Sequence, residues 1–233
     1  MKFILKNYLF KLYFIFTNLL FVFKYGLRQD HVSVYLLIII YTLFCGFVLF
    51  GNPFKFIKLN EDKLKILYKV ICFSIMIVVF IVVSLTDGTK LNVDRWSAMD
   101  VGIKALLNGE YPYTATDHLN GRTSNFPGLF IIGLPFYLMG NVGYLQVFSF
   151  VLLSFTLYNI LKIKQTLNYI ILLLLSPAFW WEIFAISDLL SNVIIVFCFV
   201  LLIKDKFKDN VLKKPVFMGL STSFLTSDLY PLS

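Results

Sequence analysis

Between Lys69 and Asp87 the chain reads "VICFSIMIVVFIVVSLT", without a single charge. About 20 apolar residues is what an α-helix needs to cross the hydrocarbon of a bilayer, so a stretch of this kind dictates the solvent before it dictates the fold. Further apolar blocks lie at 8–24, 32–51, 142–161, 168–186 and 188–203, and a last one begins at Pro215. Composition agrees: 59% of residues are hydrophobic and 15% are charged, where a soluble domain has about a quarter charged. The sequence therefore predicts an all-α polytopic membrane protein with about six to seven transmembrane helices.

The charge of +8 comes from Lys residues in short segments between the apolar blocks. That placement marks topology and argues against a nucleic-acid partner. Lys and Arg collect on the cytoplasmic side. By that rule Lys55, Lys58, Lys63, Lys65 and Lys69 are inside, as are Lys162 and Lys164, and the run from Lys204 to Lys214. The segment 87–125, with its mixed charges, is then outside. The next apolar piece, 126–140, is short and carries Pro127, Pro135 and three Gly, which suits an interfacial or re-entrant segment better than a crossing. The same parity puts Ser187 and Asp188 on the outer face. The chain divides into 1–66, N-terminal membrane helices with a basic loop, and 67–233, the main membrane module with its outer region at 87–141. Lys2, Lys6 and Lys11 precede an apolar run with no small-residue cleavage site, so an uncleaved first helix or an interfacial one is expected. Cys45, Cys72 and Cys198 each lie in an apolar block and read as small buried hydrophobes, neither a disulfide framework nor a zinc site.

One outer stretch, "VDRWSAMDVGIKALLNGEYPY" at 93–113, carries the polar chemistry. From Ser97 it reads as an amphipathic helix: Ser97 and Asp100 form a loosened capping box. Asp100, Lys104 and Asn108 make a polar stripe, and Met99, Ile103, Leu106 and Leu107 an apolar one. Gly109 is the expected stop. A helix of this type lies in the membrane interface, apolar face down. Asp94, just upstream, is either a solvated acid paired with Arg95 or a functional group at the membrane surface. Asp100 reads as structural, paired with Lys104. Asp188 lies between two apolar helices, where an acid is functional, paired, or an N-cap. Glu182 reads as a weaker interfacial acid. Arg122, close to the helix expected after Pro127, could hold a phosphate together with that helix N-terminus. His118 reads as a surface residue.

The order of these features resembles the membrane-embedded GT-C-type glycosyltransferases, closest to the branches that use polyprenol-phosphate-mannose. The residues that carry the likeness are Asp94, "ALLNGEYPY" at 105–113, "SNFPGLFIIGLPFYLMG" at 124–140 and "SPAFWWEIFAISDLLSN" at 176–192. The resemblance covers roughly 68–233. It implies a transferase that moves a sugar, mannose in the nearest branches, from a polyprenyl-phosphate donor to a lipid or glycan acceptor. Transfer would occur at the outer face of a bacterial cytoplasmic membrane. It implies Asp94 as catalytic base or metal-contacting group and Asp188 as the assisting acid. Arg122, Arg95 and Tyr113 would bind the lipid phosphate or sugar.

The chain also departs from that pattern. Trp96 stands where relatives with an Asp-x-Asp pair have their second acid, so a divalent cation, Mg or Mn, is left open. Phe126-Pro127 replaces a Pro-Pro. The family has about twice as many spans, and the last residues, "TSFLTSDLYPLS", read as a truncation inside a helix, so a fragment is expected. The competing readings are a transporter or channel subunit, and a non-catalytic assembly protein whose outer loop binds a partner.

Overall fold

In a computed structural model, residues 2–51, 60–207 and 215 are described. Among them are nine α-helices and no strand, with one isolated antiparallel bridge between Thr116 and Arg122. Lys55, Lys58, Lys208, Lys213, Lys214 and nearly all of the apolar piece after Pro215 lie outside the described residues. The chain forms two compact units, 1–65 with 167–181, and 66–166 with 182–233.

In the first unit, α1 (Lys2–Gly26) and α2 (Val34–Phe50) form an antiparallel hairpin. Tyr8 stacks on Phe50 with ring centroids 5.9 Å apart. At the other end of the pair, Gly26 lies against Val34. The later segment is tied on by polar groups: the Ser176 hydroxyl donates to Asn18 Oδ1 at 2.8 Å and the Tyr41 hydroxyl to the Leu175 carbonyl at 3.3 Å. Trp181 packs against Tyr25, centroids 4.9 Å apart.

The second unit holds most of α3 (Glu61–Leu85), then α4 (Arg95–Leu107), α5 (Pro127–Leu138), α6 (Tyr144–Ile160) and α9 (Asp188–Phe207). Of α3, Ile75, Val79 and Val83 are buried, while Val70, Phe73, Phe80 and Ile81 stand exposed. Helices α4 and α5 interlock reciprocally. A Cβ on Gly102 would meet the Phe130 ring at 2.5 Å, and one on Gly133 would meet Met99 Cε at 2.0 Å. Each glycine is thus the notch for the other helix's large side chain, and Met99, Ile103, Leu129, Phe130, Val142, Leu145 and Ile195 form the core around that contact. Helices α6 and α9 pack along their length, with polar residues between them: Gln146, Ser149, Thr156, Ser191 and Asn192 are buried.

The number of membrane spans is smaller than expected. Two helices are long and apolar enough to cross a membrane, Tyr8–Gly26 within α1 and Glu61–Leu85. A third would be α7 (Ile163–Leu175) plus α8 (Pro177–Phe184), if that pair, bent by 67°, counts as one span. The blocks themselves fall where the sequence places them; length and charge reduce the count. With 17 residues each, α2 and α6 reach about 26 Å at 1.5 Å per residue, short of the roughly 30 Å hydrocarbon core. Pro177 breaks the 168–186 block, because proline has no N–H to donate and disfavours helix in the residue before it. Helix α9 runs into Lys204, Asp205 and Lys206. The 12-residue α5, about 18 Å long, cannot cross, as its length foretold.

Helix α4 also differs in detail. It starts at Arg95, with Asp94 as N-cap residue, so Ser97 lies inside the helix and no capping box forms. Ser97 Oγ donates to the Asp94 carbonyl at 3.1 Å and meets His118 Nδ1. Met99 and Ile103 are buried in the protein core, leaving Leu106 and Leu107 as the exposed apolar surface. The expected stop holds: Gly109 has φ +72°, and the bonds Gly109 N–H to Leu106 O and Glu110 N–H to Ala105 O complete a Schellman turn. The three cysteines are free, Cys45 and Cys198 buried and Cys72 partly so.

Candidate functional site

The two acids singled out by the sequence, 94 residues of numbering apart, come together in the second unit. Asp94 ends the loop leading into α4, where its carbonyl accepts the first helical bond from Ala98 N–H at 2.7 Å. Its carboxylate makes no capping bond to that helix and stays available. The loop is pinned by Trp96, whose Nε1–H donates to Asn141 Oδ1 at 2.8 Å, while Asn141 Nδ2 donates to the Val83 carbonyl at 3.0 Å. It is pinned again by His118, whose Nε2 bonds the Leu91 carbonyl at 2.8 Å while Nδ1 meets Ser97. His118 is therefore a half-buried strut for the Asp94 loop and not surface decoration.

Asp188 is presented by a tight junction between α8 and α9. Helix α8 also ends in a Schellman turn, with Ile186 N–H bonded to Ile183 O at 3.1 Å and Ser187 N–H to Glu182 O at 2.9 Å. Ser187 Oγ then accepts the Leu189 N–H at 3.2 Å, a capping contact at the start of α9. The Asp188 carboxylate is thereby released from capping and turns to Asn125, whose Nδ2 donates to Asp188 Oδ2 at 2.7 Å. Asn125 is itself fixed: Thr123 Oγ1 donates to its side-chain oxygen at 3.1 Å, and the Tyr113 hydroxyl donates to its carbonyl at 2.8 Å.

Charge gathers around this point. Asp188 sits at the interhelical junction, outside the helices that could cross a membrane. Burial pushes its carboxyl up to about 6; the Arg95 guanidinium and its own backbone N–H pull it back, and Glu182 and Asp94 push it further up. Asp188 Oδ1 and Glu182 Oε2 are shielded from solvent and have no hydrogen-bond partner among the described residues. The site thus holds three carboxylates and one guanidinium within electrostatic reach, with one acid poised to take up a proton near neutral pH.

The other sequence candidates divide. Arg95 belongs to the site. Tyr113 supports it indirectly, through Asn125 and a T-shaped contact with Phe130 at 5.9 Å. Arg122 lies exposed on the Thr116 bridge, with no ion pair to Asp94 or Asp188 among the described residues. Asp100 is a partly buried helix acid, pushed up by burial and pulled back by Lys104. Glu182, read as a weaker candidate, is a member of the charged group. Asn125 was missed; the signal for it was a single amide two residues before an apolar, proline-started helix. No group of three or more His, Cys, Asp or Glu side chains is arranged to hold a metal ion among the described residues. No family profile, no curated protein and no solved structure matches this chain.

Proposed function

We propose that this chain is a membrane glycosyltransferase, or the part of one that carries its acids, acting on a polyprenyl-phosphate sugar at the outer membrane face. The observation that carries this reading is that Arg95 and Asp188 line one cavity, with Asp94 beside Arg95 in sequence and within electrostatic reach of Asp188. In the proposed step Asp94 accepts the proton of an acceptor hydroxyl as that oxygen attacks the anomeric carbon. The bond from that carbon to the lipid-phosphate oxygen breaks with inversion, and the phosphate leaves with the electron pair. A carboxylate within hydrogen-bond reach typically contributes about 10²–10⁴-fold as general base. Arg95, exposed at the N-terminus of α4, is the cation placed to meet the developing phosphate charge, a stabilisation of the kind that preorganised sites supply. Asp188 assists electrostatically, through its charge on Arg95 and Asp94. Arg122 is left a more distant role with the lipid phosphate, and mannose remains the sugar named by resemblance.

The test is Asp94→Asn in the full-length protein, assayed with a polyprenyl-phosphate sugar and acceptor lipids in proteoliposomes. Transfer should fall by at least about 10²-fold while the protein remains folded. Near-normal transfer would remove Asp94 from the mechanism. Solute uptake without sugar transfer would favour a transporter instead.

A further inference from the structure

Gln146 is 4% exposed, near the start of α6. Its amide Nε2 donates to two carbonyls, Glu182 O at 2.8 Å and Ser187 O at 3.0 Å. A flipped amide would set oxygen against two oxygens, so the orientation is fixed. Gln146 Oε1 is then left buried without a donor among the described residues. Asp188 is in the same position: Oδ2 is satisfied by Asn125, and Oδ1 is shielded from solvent without a donor. Both residues line one cavity of about 10 Å³, together with Arg95, Ser187 and Ser191.

A cavity of that size is at the threshold for one water, and a buried water makes about three hydrogen bonds to groups that would otherwise go unsatisfied. Two orphaned acceptors call for two donated protons, the number one water supplies. We propose that this cavity binds a single water molecule that donates to Gln146 Oε1 and to Asp188 Oδ1. Ser191, fully buried and touched by Ser149 Oγ at 3.3 Å, offers the third partner. A small metal cation would also satisfy two oxygens, but it would be repelled by the charge of Arg95, a lining residue whose field reaches Asp188.

The site assigns different work to the two acids. With Asn125 on one oxygen and water on the other, Asp188 is held inward on both sides. Asp94, with no capping bond, is the acid free to meet a substrate. The water site itself does not depend on the glycosyltransferase reading.

The experiment is proton-detected solid-state NMR on the full chain in lipid bilayers, reading magnetisation transfer from water to the Gln146 side-chain amide and the Ser191 backbone amide. The expected result is a water cross-peak at both groups, lost in Ser191→Val, whose larger side chain fills the cavity. Absence of the cross-peak in the wild-type protein, while exposed amides show theirs, overturns the proposal even if the variant does not fold. A saturable shift of the Gln146 and Asp188 carbonyl signals with sodium chloride, not reproduced by choline chloride, identifies a bound cation and overturns it as well.

Discussion

Asn125→Ala tests the Asp188 clamp most directly. The variant removes the 2.7 Å bond to Asp188 and the 3.1 Å bond from Thr123. When Asp188 is ionised the first bond has a charged acceptor and is worth about 1.5–3 kcal/mol; when Asp188 is protonated it falls to about 0.5–1.5 kcal/mol. The Thr123 bond is neutral at both pH values and cancels in the comparison. Asn125→Ala should therefore cost about 1–1.5 kcal/mol more at pH 7.5 than at pH 5, because the Asp188 carboxyl titrates near 6. By linkage the same difference appears as an upward move of the Asp188 midpoint of about one pH unit, at 1.36 kcal/mol each. For a chain of this size 1 kcal/mol corresponds to about 2–4 °C in melting temperature. Thermal unfolding in nanodiscs, followed by tryptophan fluorescence at the two pH values, reads the difference as an extra drop of about 2–6 °C at pH 7.5. Asp188→Asn should abolish the pH dependence of the Asn125 effect. Equal losses at both pH values would refute the clamp.

In the wild-type protein the Asp188 carboxyl is raised from 3.8 to about 6, so the folded state binds its proton more tightly than the unfolded chain. That contribution is full below about 3.8 and is lost as pH rises through 6. Asp100, also raised by burial, adds the same sign, and exposed Asp87, lowered by its bonds to Thr89, opposes weakly. Melting temperature should fall between pH 5 and pH 7.5, with a smaller fall in Asp188→Asn; an unchanged slope in that variant would place the titration elsewhere. Gly143→Ala would set a Cβ 2.6 Å from Ile186 Cγ2 and 2.9 Å from Val83 Cγ1. Overpacking of this kind costs about 1–3 kcal/mol, measurable in the same unfolding assay, and an unaltered melting temperature would show that the notch yields.

Much of the scaffold was legible in the sequence because it is local. Apolar block length marked the helices, Gly109 marked the end of α4, and the prolines and shortness of 126–140 marked a helix that does not cross. What the blocks could not give was the number of crossings, because that depends on where each helix frays or breaks: Pro177 divides one block and the Lys204–Lys206 charges end another. Asp94 was legible as an acid outside the apolar blocks and Asp188 as one at the start of a block, but that each lies within electrostatic reach of the other was not. Asn125 reaches Asp188 across 63 residues of chain, and no spacing rule connects a loop amide to an acid in another helix.

Ile186 carries that argument furthest. The turns that end α4 and α5 put glycine at the left-handed position, Gly109 at φ +72° and Gly140 at φ +97°, whereas the turn that ends α8 puts Ile186 there at φ +46°. A left-handed backbone costs a side-chain-bearing residue roughly 1–2 kcal/mol, more for a β-branched one, and a helix-stop pattern does not look for isoleucine. The side chain explains its own presence. Ile186 is 2% exposed and fits the notch made by Gly143, and burying an aliphatic side chain of this size yields about 1.5–3 kcal/mol. Packing therefore offsets the strain and fixes the turn against α6, two residues before Asp188. A glycine would satisfy the backbone and leave the junction loose. The residue least expected at a helix stop is the one that sets where the buried acid points.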